Sequence, residues 1–267
     1  MTTVDRLMRL TGRCALITGA TGWLGRTIAD TLAELGAELI LVDRPGSQFE
    51  PFVRELSERW AVSIQSESCD LECPSQRSDL LKKLRGDRMS LSVIINNAAF
   101  VSTSELSGWA VPFESQTVET WRRALEVNLT APFHLCQGLM PLLKQAEGAT
   151  IINIGSIYGM FGPDWQLYEG TSMANVAAYA ASKGGLVQLT RWLSTTLAPS
   201  VRVNAISPGG ILRGQPEVFV KRYEARTPLA RMAREDDFRG AVAYLATDLS
   251  AYVTGQILAV DGGWGVW

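Results

Sequence analysis

The chain has little of what builds metal centres, disulfide frameworks or membrane spans. One histidine, His134, and four cysteines, Cys14, Cys69, Cys73 and Cys136, are all that occur in 267 residues. The cysteines show neither a CxxC spacing nor the companion histidines of a zinc site, so reduced, structural thiols are expected. His134 lies in the apolar run APFHLCQGLM, which suits a packed or capped helix residue better than a ligand, and no metal site is expected. No apolar run approaches the roughly 18 to 20 residues that span a bilayer, and the opening MTTVDRLMRLTG has no apolar signal-peptide core. A cytoplasmic protein without membrane contact is the expectation. Charge of one sign is also lacking: 25 Lys and Arg against 27 Asp and Glu leave a net charge of −2, which argues against a nucleic-acid partner.

What the chain does have is 46% hydrophobic residues, enough to bury a sizeable core. Short apolar segments alternate with longer helical patterns from end to end, the sign of βαβ units and a parallel sheet. Strands are predicted at Cys14 to Thr18, Glu38 to Asp43, Val62 to Glu67, Ser92 to Asn96, Thr150 to Gly155, Val201 to Ile206 and Ile257 to Val260. Helices are predicted at Leu24 to Leu35, Phe52 to Arg59, Ser75 to Leu84, Val118 to Gln145, Val176 to Leu197, Pro216 to Arg226 and Glu235 to Thr247. No repeat, linker or low-complexity tract interrupts them. The expectation is one α/β domain over residues 1–267, a doubly wound seven-stranded parallel sheet with helices on both faces.

The first strand runs into Thr18-Gly19-Ala20-Thr21-Gly22-Trp23-Leu24-Gly25 and then a helix. Glycines there permit a tight turn, close approach of a pyrophosphate and close helix packing, and the helix N-terminus offers free N–H groups to phosphate. Asp43 follows 18 positions after Gly25 at the end of the second strand, near the spacing at which an acid accepts bonds from an adenosine ribose. This is a Rossmann-type dinucleotide signature. A carboxylate at Asp43 repels the 2′-phosphate of NADP and favours NAD; Arg44 beside it could pair with that phosphate, which keeps NADP open.

Tyr179-Ala180-Ala181-Ser182-Lys183 places a phenol and an amine one helical turn apart on one face, directed at the C-terminal sheet edge where open α/β folds bind ligands. A neighbouring ammonium favours the phenolate, so Tyr179 is a candidate general acid/base with a lowered pKa.

With these landmarks in order, namely the glycine turn, Asp70-Leu71, Asn96-Asn97-Ala98-Ala99, Asn128, Ser156, the Tyr179/Lys183 pair, Ser207-Pro208-Gly209 and Val260-Asp261-Gly262-Gly263, the chain resembles the short-chain dehydrogenase/reductase family over essentially its full length. The resemblance implies a catalytic set of Asn128, Ser156, Tyr179 and Lys183. Ser156 would hydrogen-bond the substrate oxygen, Lys183 would also hold the nicotinamide ribose, and Asn128 would support a water-linked proton relay to Lys183. It implies a cofactor groove of Gly19, Thr21, Gly22, Trp23, Leu24, Asp43, Arg44, Asp70, Leu71, Asn97, Ala98, Ala99, Tyr179, Lys183, Pro208, Gly209 and Ile211. The reaction would move a hydride between nicotinamide and a secondary alcohol or ketone. The family's habit implies a homotetramer or homodimer through the helices of Asn128 and Tyr179 and the C-terminal strand.

The chain departs from the family pattern in three places. Trp23 stands where a second glycine is customary, a GxxGxxG spacing like that of sugar-nucleotide epimerases and dehydratases, although the length and the closing DGG fit the single-domain branch. Segments 100–119 and 157–175 are longer than usual, and both leave strand C-termini, so they are expected to shape the substrate pocket; Tyr158 and Tyr168 are candidate substrate contacts with Ser156, unless the aromatics serve packing or a subunit contact. Arg213 replaces a customary threonine in a lid near 211–234 and begins a basic stretch with Lys221, Arg222, Arg226, Arg231 and Arg234. Arg213 is a candidate grip on a substrate phosphate or carboxylate, and the remainder reads as a solvated basic face. The 167–171 and 261–264 segments look similar to members associated with bacterial surface-sugar and nonulosonate biosynthesis, which puts a sugar-like alcohol first among substrates. The alternatives are an epimerase or dehydratase with retained NAD, and a dinucleotide-binding module without catalysis.

Overall fold

Alternation along the strands decides the architecture, because successive side chains of a strand buried on both faces must each find a helix layer. A computed structural model describes residues 2–101 and 106–267. It contains seven strands, β1 (Cys14–Thr18), β2 (Glu38–Asp43), β3 (Ile64–Ser68), β4 (Val93–Asn96), β5 (Thr150–Ile154), β6 (Arg202–Pro208) and β7 (Ile257–Val260). They form one parallel sheet in the order β3-β2-β1-β4-β5-β6-β7. In register, Ala15 lies beside Leu39 and Val93, and Ile152 lies beside Ile95 and Asn204.

The inner strands feed two cores. Ala15 and Ile17, Leu39 and Leu41, Val93 and Ile95 face the layer built by α2 (Trp23–Glu34), α3 (Phe49–Arg59) and α9 (Arg239–Ala246). Leu16, Ile40, Ile94 and Ile151 face α4 (Pro74–Asp87), α6 (Ala131–Leu143) and α7 (Ala177–Leu197). The doubly wound prediction therefore holds. Because strand order reverses between β1 and β4, their C-terminal ends open a crevice, and the site lies there.

The differences from expectation are local. A short α1 (Thr3–Leu7) precedes β1, set by a capping box in which Thr2 and Asp5 satisfy each other's backbone N–H. The long helix expected from Val118 is α5 (Val118–Leu125), a wider π-type turn at Glu126–Thr130, and α6. Residues predicted as one helix from Glu235 split into a 3₁₀ turn, Glu235–Phe238, and α9. The remaining helix is α8 (Glu217–Arg226), in the lid segment. Of the 100–119 segment, residues 102–105 lie outside those described. Among the described residues no helix is long and apolar enough to cross a membrane.

Candidate active site

Backbone geometry shapes the dinucleotide end. Gly19 takes φ +63°, and a Cβ there would lie 2.8 Å from Ala98 Cα; a Cβ on Gly25 would lie 2.0 Å from Gly19 O. Only glycine permits the turn and the helix–strand contact. Asn97 locks the turn to β4, donating from Nδ2 to Thr18 O at 2.9 Å and to Gly19 O at 3.0 Å. Gly22 stands at the N-cap of α2 without a side-chain cap, so the first N–H groups of that helix are left for a ligand. Trp23, in the customary glycine place, begins α2 with 71% of its surface exposed, so the side chain projects outward rather than filling the turn.

Asp43 is held at the end of β2. Its Oδ2 accepts from Thr21 N at 2.8 Å and Thr21 Oγ1 at 2.7 Å, and its Oδ1 accepts from Arg44 N at 2.8 Å. The next wall is the Asp70-Leu71 loop, where Arg77, buried, donates to Leu71 O, to Glu126 Oε1 at 2.5 Å and to His134 Nδ1 at 3.3 Å. His134 thus serves as an acceptor within the fold.

Ser156, at the end of β5, and Tyr179 and Lys183, one turn apart on α7, stand at the other end of the same opening. Lys183 is 2% exposed, donates Nζ to Ile154 O at 2.7 Å, and lies 5.8 Å from the Tyr179 ring centre. Burial lowers the Lys183 pKa to about 8. Burial pushes the half-buried Tyr179 phenol up, while the Ser156 side chain and the Arg213 charge pull it down. The expectation that Lys183 lowers the phenol's pKa is corrected here. Desolvation sets the direction, and the amine, committed to a backbone carbonyl, is not among the groups that pull the phenol down.

Ser156, Tyr179 and Lys183 line a cleft of about 1170 Å³ together with every expected cofactor residue: Gly19, Thr21, Gly22, Trp23, Leu24, Asp43, Arg44, Asp70, Leu71, Asn97, Ala98, Ala99, Pro208, Gly209 and Ile211. The glycine cradle, the free helix N-terminus and the acid at the end of β2 fit a dinucleotide.

Asn128 does not line it. Fully buried in the π-type turn, it accepts from Phe100 N at 2.6 Å and donates to Ser182 Oγ at 3.0 Å, and Ser182 donates to Tyr179 O at 2.8 Å. Its contacts make it a positioning residue for α7, at the position before Lys183, and for the Phe100 backbone.

Tyr158 and Tyr168 are also placed elsewhere. Their hydroxyls bond each other at 2.5 Å, and Tyr168 packs in a satellite core with Phe219, Tyr223 and Trp264. A segment this rich in aromatics lowers its free energy more by packing rings together than by lining a wet cleft, and the buried phenol of Tyr168 and the half-buried one of Tyr158 satisfy each other. The 157–175 segment is accordingly a buttress against α8, with Asp164 paired to Arg226 at 3.2 Å and Glu169 O accepting from Arg222 at 2.5 Å. The expected solvated basic face is mostly paired: Lys221 meets Glu217, and Arg231 meets Asp237. Arg213 alone of that stretch lines the cleft.

Sequence reasoning missed Phe100, Arg123 and Glu72 in the lining. Arg123 grips Glu72 with Nε–Oε1 at 2.7 Å and covers the Phe100 ring at 4.9 Å. These residues are far apart in the chain, and no spacing signals their meeting.

Three comparisons bear on this site. The family model described as enoyl-(acyl carrier protein) reductase matches residues 19–265. The chain is 30% identical to galactitol 2-dehydrogenase (L-tagatose-forming) of Cereibacter sphaeroides, over 98% of each chain. It is 30% identical to cis-4-hydroxycyclohexanecarboxylate dehydrogenase of Sinomonas cyclohexanicum, over 94% of this chain and 96% of that one. Its fold is similar to a solved short-chain dehydrogenase of Leptospira borgpetersenii with bound NAD+, with TM-score 0.82 and 30% identity, covering 99% of this chain and 96% of that chain.

Proposed function

From the premise that the chain belongs to the short-chain dehydrogenase/reductase family and is an oxidoreductase acting on CH–OH groups with NAD or NADP, we propose that it interconverts a secondary alcohol and its ketone on a sugar-like substrate, with NAD preferred. The observation that carries this reading is the single cleft joining the glycine turn to Ser156, Tyr179 and Lys183. The nicotinamide, when bound, supplies the hydride acceptor or donor. Tyr179 exchanges the proton of the substrate oxygen, and Ser156, fixed by accepting from Tyr158 N at 3.2 Å, donates to that oxygen. Lys183 contributes a buried amine facing the phenol, and Asn128 keeps Tyr179 in place through Ser182.

The fixed carboxylate of Asp43 supports NAD, since it meets a 2′-hydroxyl favourably and a 2′-phosphate unfavourably. The polyol named for the Cereibacter sphaeroides relative supports a polyhydroxylated substrate. Bacterial surface sugars and nonulosonates fall within that class. Exposed Trp121, Phe133 and Trp192 on α5, α6 and α7 support a homotetramer or homodimer through those helices.

The test is a panel of sugars, sugar acids, sugar phosphates, nucleotide sugars and polyols with NAD and NADP in parallel, followed by absorbance of the reduced cofactor. Net NADH formation from a polyol or sugar bears the reading out. Tightly retained NAD with no net reduction, or no turnover of any alcohol, overturns it.

A further inference from the structure

The segment after β6 is held rigid around one unusual side chain. Gly210 O accepts from Ala233 N at 2.9 Å and Leu212 N donates to Ala233 O at 2.9 Å, so residues 210–212 are pinned to the far end of the lid. Gln215 clamps the next turn, accepting from Arg213 N at 2.7 Å and donating to Ile211 O at 2.7 Å. Arg213 therefore projects from a fixed backbone into the cleft that holds Ser156 and Tyr179.

Its guanidinium is half used. Nε donates to Glu235 Oε1 at 2.9 Å, while the two terminal nitrogens have no partner among the described residues. The other cations of the cleft differ. Arg123 is engaged by both oxygens of Glu72, Lys183 by Ile154 O, and Arg44 sits beside Asp43 at the opposite, adenosine end. The dinucleotide's own phosphates have the α2 N-terminus to meet them. A planar fork with one edge oriented by a carboxylate and the other edge open matches a second carboxylate or a phosphate bidentately.

We infer that Arg213 is the receptor for an anionic group on the substrate, a carboxylate or phosphate held while the carbinol oxygen sits between Ser156 and Tyr179, with Glu235 as the positioning residue that orients the fork. The inference rests on the oxidoreductase reading above and narrows its substrate class from sugar-like alcohols to hydroxy acids or phosphorylated alcohols. The hydroxy acid named for the Sinomonas cyclohexanicum relative is of this class.

The experiment compares matched substrates on the enzyme with NAD: a hydroxy acid and its carboxamide, such as gluconate and gluconamide, and a polyol with its phosphate monoester. Binding of the same compounds to the NADH complex is measured by calorimetry. The expected result is kcat/KM and affinity at least about tenfold higher for the anion than for its neutral partner, expressed in KM. That ratio falls to near unity in Arg213→Gln and to an intermediate value in Arg213→Lys, which keeps charge without the fork. The acid and phosphate arms show which anion is taken. Equal turnover of charged and neutral partners by the unaltered enzyme overturns the inference and leaves the oxidoreductase reading standing. So does an Arg213→Gln variant that weakens NADH while keeping the anion preference, since the arginine then serves the cofactor. No turnover of any alcohol strikes the underlying reading, and a calorimetric ratio near unity in that case removes the inference as well.

Discussion

The two ends of the cleft are made of different material. At the dinucleotide end the decisive atoms are backbone: a positive φ at Gly19, a missing Cβ at Gly25, free N–H groups where α2 begins. At the substrate end they are side chains whose partners come from elsewhere in the chain, Lys183 with Ile154 O and Arg213 with Glu235. Backbone constraints leave a mark at fixed spacing in a sequence, whereas side-chain partnerships leave none. That contrast explains why the cofactor residues fell into one cleft as expected while the two substrate tyrosines did not.

Four variants can break or sharpen the comparison. The largest effect is expected for Gly25→Ala, whose Cβ would meet Gly19 O at 2.0 Å. NADH binding should be lost and the melting temperature should fall sharply, as read by fluorescence titration and thermal unfolding; unchanged binding would mean that the turn does not act as a backbone cradle. Next is Lys183. Its folded pKa of about 8 lies below the ordinary 10.5, so between those values the unfolded chain holds more protons and stability rises with pH. At about 1.4 kcal/mol for each pH unit separating the two states, the rise comes to about 3.5 kcal/mol, and Lys183→Met should flatten it in denaturant titrations across pH 7 to 11. Equal pH slopes in the two proteins would refute the buried cation.

A smaller effect is expected at Asp43. Asp43→Asn should lower the kcat/KM preference for NAD over NADP by about tenfold, because the repulsion toward a 2′-phosphate goes. An unchanged preference would shift the discrimination to Arg44. Smallest is Tyr168→Phe, which leaves the half-buried Tyr158 hydroxyl without its tyrosine partner and should cost about 1 kcal/mol in chemical unfolding, with kcat and KM for the best alcohol unaltered. A raised KM would return that tyrosine to the substrate site.

The sheet was legible because every strand but the polar edge strand β3 carries an apolar run bounded by turn residues, and all seven were found with small shifts at the ends, such as β3 beginning at Ile64 rather than Val62. The meeting of Ser156, Tyr179 and Lys183 in one cleft was legible from the helical spacing of the last two and the landmarks around them. Three things were not. The π-type turn at Glu126–Thr130 changes backbone pairing without changing apolar periodicity, so it read as continuous helix, and with it the inward, non-cleft position of Asn128 was hidden. The Arg123–Glu72 pair joins segments that no local pattern connects. The direction of the Tyr179 shift depends on desolvation, and burial of a phenol cannot be read from the identity of the residue four positions on.

The central claim is that one cleft both holds the dinucleotide and carries a phenol that moves the substrate's proton. Tyr179→Phe tests it most directly, with NADH affinity and alcohol oxidation measured on the same preparation. The account predicts affinity within about twofold of the unaltered enzyme and turnover reduced by about 10²- to 10⁴-fold. Turnover kept at its original rate, with NADH bound as before, would contradict it.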